Sequence, residues 1–235
     1  MADKAPCTGL AFYDLDGTLV SSNVVTQYVW FMRNQPSHLR AAFKLGKLIL
    51  LVPFLIALDW YSRHVFNVVF YREYRGLSES CLRASAQAMF DAMMRNAIYP
   101  GAKELVESDR RAGYRAVLVT GSLDFAVEPV VRYLGFDEVV ANTLEWENGA
   151  ATGALRPPII AGDEKVKAML RLCGKYNVET MQCKAYSDSL SDLPMLEAVG
   201  QPAAANPDSR LRRIASARGW PVLNLKEATH VHHSD

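Results

Sequence analysis

Two pairs of acids stand out by where they fall. Asp14 and Asp16 follow directly on Gly9-Leu10-Ala11-Phe12-Tyr13, a run of small, apolar and aromatic residues suited to a buried strand, and Gly17 turns the chain just after them. A buried strand has no structural use for two acids at its C-terminal end. Ionised there they repel, so a cation or a shared proton has to hold them together. In an open α/β sheet that end of the strand is where ligands bind. The second pair lies in Asp188-Ser189-Leu190-Ser191-Asp192-Leu193-Pro194, after the strand-like stretch 183–187. Four residues apart ahead of a helix, these acids can serve as a cap and a first-turn acid; at the end of a buried strand they better suit an oxygen-rich Mg²⁺ site. Between the pairs, the apolar stretch 115–119 ends in Thr120-Gly121-Ser122. A hydroxyl beside a glycine at a strand-to-helix turn offers an OH and backbone amides to an anion, although in isolation it would do no more than cap a helix.

These residues act together only if strands carry them to one edge of a sheet. The chain supplies the strands: 9–13, 115–119, 139–143, 183–187, the region 202–208 and 221–225. Helices are expected over 102–112, from Gly162-Asp163-Glu164-Lys165-Val166-Lys167 onward, and over 209–218, with a small hairpin at 142–155 marked by Asn148-Gly149 and Gly153. Alternating strands and helices predict an α/β protein with a mostly parallel, Rossmann-like sheet. The segment 21–96 breaks that alternation. Ser21-Ser22-Asn23 caps a helix over 24–33, Pro36-Ser37 ends it, and helical patterning resumes from about 38 towards 60 and on to 94, interrupted at Gly76 and restarted at Ser78 and Glu79. Its aromatics Tyr61, Phe66, Phe70, Tyr71 and Tyr74 read as core packing. The expected organisation is a core of 1–20 and 97–235 with an all-helical cap inserted at 21–96.

The centre of that insertion is unusual. From Leu48 to Leu58 every residue is apolar, with Pro53 in the middle. At ~1.5 Å per residue the run covers only about half of a ~30 Å hydrocarbon core, and Pro53 is expected to kink it. By length the favoured reading is a buried cap or core helix. The sharper one is an interfacial segment, flanked by Arg40, Lys44 and Lys47, that enters a membrane surface over 40–60; a transmembrane span ranks last.

Bulk properties narrow the classes. The 235 residues are half hydrophobic and 22% charged, enough for a full globular core. A net charge of +1 makes no case for nucleic acid, although 23–83 carries a surplus of five positive charges and leaves the rest at −4. Cys7, Cys81, Cys173 and Cys183 form no C-x-x-C pair, so reduced thiols in a cytoplasmic setting are expected. The polar start Met1-Ala2-Asp3-Lys4-Ala5-Pro6 does not resemble a secretory signal. The tail histidines His230, His232 and His233 are expected to be incidental.

Asp14-Leu15-Asp16-Gly17-Thr18-Leu19 resembles the first signature of the haloacid dehalogenase superfamily of phosphoryl-transfer enzymes. Thr120-Gly121-Ser122 resembles the second, Lys165 the third (with Lys167 the alternative), and Asp188 to Asp192 the fourth. The four occur in the superfamily's order, and a helical insertion between the first and second is typical of its helical-cap, phosphoserine phosphatase-like group, subfamily IB. The resemblance implies a phosphatase in which Asp14 attacks phosphorus to form an aspartyl-phosphate and Asp16 acts as general acid and then base. It places the phosphoryl oxygens on Thr120, Gly121 and Lys165. Mg²⁺ would lie with Asp14, the backbone carbonyl of Asp16 and Asp188, with Asp192 in support. The apolar, basic insertion is similar to the caps of phosphatidylglycerophosphate phosphatase-type members, which implies a phospholipid monoester such as phosphatidylglycerophosphate or lysophosphatidate, met through peripheral membrane contact. Two rival readings stand beside it: a soluble small-metabolite phosphatase, and a non-catalytic lipid- or protein-binding module on the same fold.

Overall fold

The computed structural model describes residues 7–227; the opening segment and the tail histidines lie outside the described residues. Strand β1 (Gly9–Tyr13) is followed by a helical stretch comprising α1 (Val24–Arg33), α2 (His38–Tyr61), α3 (Arg63–Phe70), a 3₁₀ turn Tyr71–Tyr74, α4 (Glu79–Met89), a π-helical turn Phe90–Met94 and one short turn, α5 (Arg95–Ala97). Then come α6 (Pro100–Arg111), β2 (Tyr114–Leu123), α7 (Asp124–Leu134), β3 (Glu138–Asn142), a hairpin of β4 (Leu144–Glu147) and β5 (Ala150–Leu155), and α8 (Asp163–Tyr176). The chain closes with β6 (Lys184–Ser187), α9 (Leu193–Glu197), β7 (Gln201–Ala205), α10 (Ser209–Arg218) and β8 (Val222–Leu223).

Six strands form one parallel sheet in the order β3-β2-β1-β6-β7-β8. Its strands alternate between two cores, as a sheet buried on both faces must. Ala11, Tyr13, Ala116 and Leu118 pack with α6 and α7 through Ala102, Val106, Val130 and Leu134, while Leu10, Phe12, Val117 and Val119 pack with α8, α9 and α10 through Met169, Leu196 and Leu211. The chain builds outward from β1 through β2 to β3, then crosses back to begin again at β6. The switch point therefore lies between β1 and β6, and the crevice outside their C-terminal ends is the expected ligand site of such a sheet.

The helical stretch leaves and rejoins the sheet at adjacent points. The Ser21 amide donates to the Ala97 carbonyl at 2.7 Å and the Tyr99 amide to the Leu19 carbonyl at 2.9 Å. Asn23 caps α1, accepting from the amides of Val25 and Thr26. Phe66, Phe70, Tyr71 and Tyr74 are buried, with Phe70 edge-on to Tyr28 at 5.7 Å, whereas Tyr61, expected among them, is exposed because it ends α2 where no neighbour covers it. The β4–β5 hairpin turns through Asn148 and Gly149, both at positive φ, and hydrogen-bonds to the helical stretch through the Ala151 amide and the Leu77 carbonyl.

Helix α2 corrects the expectation of a buried core helix at 48–58. It is a single helix of 24 residues that runs through Pro53, and only Ala41, Leu48 and Leu55 are buried. Ile49 and Leu50 are 72% and 82% exposed, and Leu39, Phe43, Phe54, Ile56, Trp60 and Tyr61 are exposed too. Composition could not reveal this, because only one narrow stripe of the helix meets a neighbour. Among the described residues it is the one helix long and apolar enough to cross a membrane.

Candidate active site

Asp14 and Asp16 lie just beyond the end of β1, on a turn that Gly17 makes possible. Gly17 has φ +88°, and a Cβ there would sit 2.2 Å from Asp188 Oδ2. Any side chain would be both strained and in collision with the second acidic loop, so glycine is what lets the two loops meet. Thr18 fastens them. Its buried Oγ1 lies 3.1 Å from Asp14 Oδ2 and 3.0 Å from Asp188 Oδ1, and it accepts the Asp188 amide at 3.0 Å.

On the other side of Asp14, Lys165 from the first turn of α8 donates to Asp14 Oδ1 at 2.7 Å and to Asp192 Oδ2 at 2.8 Å. Asp192 also accepts from the Ser187 hydroxyl at 2.8 Å. Lys165 and both acids are buried. Burial acts to lower the lysine pKa, but the charges of Asp14 and Asp192 outweigh it and hold the ammonium above its usual value. Lys167 is placed differently: it is exposed and pairs with Glu164.

Asp16 is held by residues from two other elements. The Ser122 hydroxyl donates to its Oδ2 at 2.7 Å, and Gln27 of α1 approaches its Oδ1 at 3.4 Å and the Ser122 hydroxyl at 3.3 Å. Burial, reinforced by the charge of Asp14, pushes the Asp16 carboxyl up to about 7. Asp188 is likewise pushed up to about 7, by burial and then by Asp14. Asp14 is also raised, chiefly by burial, with Lys165 opposing.

Asp14, Asp16, Gly121, Lys165, Asp188 and Asp192 line one cavity of about 230 Å³, joined by Arg63 and Asn67 of α3. Thr120 stands apart from it. Thr120 is fully buried, and its hydroxyl accepts the Ser122 amide at 3.0 Å, bracing the turn that presents Gly121. The Gly121 carbonyl is fixed by Tyr71 at 2.9 Å and Asn142 at 2.8 Å. An adjoining cleft of about 860 Å³ shares Arg63, Asp188, Ser189 and Ser191 and continues to Trp60 and Tyr61 at the end of α2.

The donor set bears on a cation. Among the described residues no group of three or more His, Cys, Asp or Glu side chains converges as a metal cluster. What converges is two carboxylates, Asp14 and Asp188, in a cradle closed by a Cβ-less Gly17. Around the cavity four acids face two cations, Lys165 and Arg63. An oxygen-only set with few protein ligands and an excess of negative charge fits Mg²⁺, which keeps several of its waters.

Sequence reasoning missed Thr18, Gln27, Ser122, Ser187, Arg63 and Asn67. Thr18 and Ser122 sit inside the motifs already noted, so their hydroxyls were legible. Gln27, Arg63 and Asn67 carry no local signal, because helices distant in the chain bring them in.

The chain matches the family model of haloacid dehalogenase-like hydrolases over residues 11–197. It is 42% identical over 129 residues to the "Inhibition of morphological differentiation protein" of Streptomyces azureus, a match spanning 54% of this chain and 46% of that relative. It is 30% identical over 236 residues to "Phosphoserine phosphatase SerB1" of Mycobacterium tuberculosis, across 97% of this chain and 75% of that one. A crystal structure of a protein of unknown function from Bordetella pertussis Tohama I superposes with a TM-score of 0.78 at 26% identity, covering 92% of this chain and 98% of its own.

Proposed function

This chain belongs to the haloacid dehalogenase-like hydrolases, and on that premise we propose that it hydrolyses phosphomonoesters through a covalent Asp14 phosphate. The observation that carries the proposal is the Asp14–Asp16 pair. One acid is paired with Lys165, and the other, two residues on, is held by Ser122 and Gln27 with its carboxyl at about 7, so that it can both give and take a proton near neutrality.

In the first step the Asp14 carboxylate bonds to phosphorus as the ester P–O bond breaks. Asp16 gives its proton to the departing alcohol oxygen. In the second, water attacks the aspartyl-phosphate, Asp16 recovers a proton from that water, and inorganic phosphate leaves with Asp14 regenerated. Lys165 and the Gly121 backbone balance charge on the phosphoryl oxygens, with Thr120 bracing the turn from behind. Asp14, Asp188 and the backbone carbonyl of Asp16 would hold Mg²⁺, with Asp192 anchoring Lys165 beside it. When bound, the metal supplies positive charge that lets a phosphate approach a site already rich in carboxylates.

For the substrate we propose a phospholipid monoester of the phosphatidylglycerophosphate or lysophosphatidate kind. The exposed apolar face of α2 supports it: Trp60 and Tyr61, at the end of that helix, line the cleft beside the cavity. The same face would make peripheral contact with a membrane surface. A second reading, a phosphatase for a small soluble metabolite, draws support from the phosphoserine phosphatase relative that matches nearly the whole chain. Phosphate release with Mg²⁺ should be measured in parallel on phosphatidylglycerophosphate, lysophosphatidate and phosphoserine, beside Asp14→Asn. Loss of release in the variant supports the aspartyl mechanism. Activity confined to phosphoserine overturns the lipid assignment, and no release on any ester overturns the enzymatic reading.

A further inference from the structure

Nearly every buried polar group around the cavity is spoken for. Asp16 is held by Ser122 and Gln27, Asp192 by Lys165 and Ser187, and the Gly121 carbonyl by Tyr71 and Asn142. Asn67 differs. The residue is 1% exposed, yet its Nδ2 has no hydrogen-bond partner among the described residues. It stands on α3, lines the cavity, and presses against the glycine of the second motif: a Cβ added to Gly121 would meet Nδ2 at 3.1 Å. Ser22 Oγ, also buried and unpartnered, belongs to a residue lining the same cavity.

A buried donor with no acceptor is costly, and folded proteins hold few of them. When one lies at the wall of a reaction cavity, the missing acceptor is best supplied by what enters. A carboxamide N–H recognises an oxygen acceptor, and a hydrogen bond to a charged acceptor is the stronger kind. The position beside Gly121 selects the phosphoryl group rather than the leaving alcohol. We infer that Asn67 Nδ2 donates to a non-bridging phosphoryl oxygen seated over Gly121, which makes Asn67 a substrate-contacting residue supplied by the helical stretch rather than by the sheet. The inference rests on the reading of this cavity as a phosphoryl site. It also implies that the phosphoryl group is gripped from both sides, by Gly121 of β2 and Lys165 of α8 on one and by Asn67 of α3 on the other.

Inorganic phosphate is the probe, titrated calorimetrically with Mg²⁺ into the full chain and into Asn67→Leu, which keeps the branched side chain of four heavy atoms and removes the donor. Affinity is expected to fall about 10- to 100-fold, the loss of a hydrogen bond to a charged acceptor, while Tm holds or rises because an unpaired buried donor is gone. Unchanged affinity with a lowered Tm would show a packing residue and overturn the inference. An independent measurement needs no variant. In wild-type protein labelled with ¹⁵N-asparagine and assigned through bonds, the Asn67 side-chain resonances should shift as phosphate saturates. No shift at saturation, or no phosphate binding at all, overturns the inference. If phosphate binds and the Asn67 resonances shift, yet no phosphomonoester is hydrolysed, the phosphatase reading fails and this contact stands.

Discussion

Asp16 and Asp188 are the residues whose chemistry reaches furthest beyond their own contacts. Each has a folded-state pKa of about 7 against a usual 3.8, from burial and the charge of Asp14. Each therefore keeps a proton in the folded protein that the unfolded chain releases near pH 4. The folded state binds more protons across this interval, so their contribution to stability declines as pH rises from about 4 to about 7 and levels off above. In EDTA, Tm should fall over that window more steeply for wild type than for Asp16→Asn, which has no such proton to lose. Saturating Mg²⁺ should shrink the difference, because a divalent cation beside the site favours ionised carboxylates. Equal slopes for the two proteins in EDTA would contradict the burial account of Asp16.

Helix α2 separates two kinds of apolar residue that composition alone treats alike. Leu48 and Leu55 are 3% and 4% exposed and dock the helix on its neighbours; Ile49, Leu50 and Phe54 point away from them. Truncating Leu48 or Leu55 to alanine should cost about 2–4 kcal/mol in chemical denaturation, as deleted core side chains do. Ile49→Ser, Leu50→Ser and Phe54→Ser should each stay within about 0.5 kcal/mol, as surface changes do. Their effect should appear instead in co-sedimentation with anionic vesicles, which the triple variant is expected to lose. A triple variant that binds vesicles as wild type does would remove α2 from any membrane contact. Nine of the large exposed apolar side chains lie on this one helix, and a patch of that kind is seldom left on a monomer without a use.

Between the sheet and α6, Asp109 ties distant parts of the chain into one cooperative unit. It is 3% exposed, accepts from the Tyr13 hydroxyl at 2.5 Å and receives Lys184 at 2.6 Å. Tyr13 of β1 stacks on Tyr186 of β6 at 4.8 Å, so the network spans the switch point under the site. Replacing Asp109 by alanine strands a buried hydroxyl and leaves Lys184 without its acid. We expect a loss of about 2–4 kcal/mol in unfolding free energy with a single transition retained. A loss below about 0.5 kcal/mol would show that solvent replaces the acid easily.

The elements announced by local chemistry could be read directly from the chain. Asn23 and Asp208 cap helices whose ends, Val24–Arg33 and Ser209–Arg218, match expectation, because caps and stops are written within a few residues. The acids after β1 and β6 were legible for the same reason: a carboxylate at the end of an apolar run is conspicuous wherever the strand finally lies. Tertiary structure alone decided the rest. Lys165 and Lys167 are two positions apart on one helix, and only the packing of α8 on the sheet turns one into the cavity and the other to solvent. Asn67 and Gln27 reach the site from helices whose own patterning says only which face is apolar. For α2 the chain offered both a buried and an interfacial reading and could not choose between them, because burial is a property of the partner as much as of the helix. A sequence records which side chains would prefer to be covered; the fold settles which of them find something to cover them.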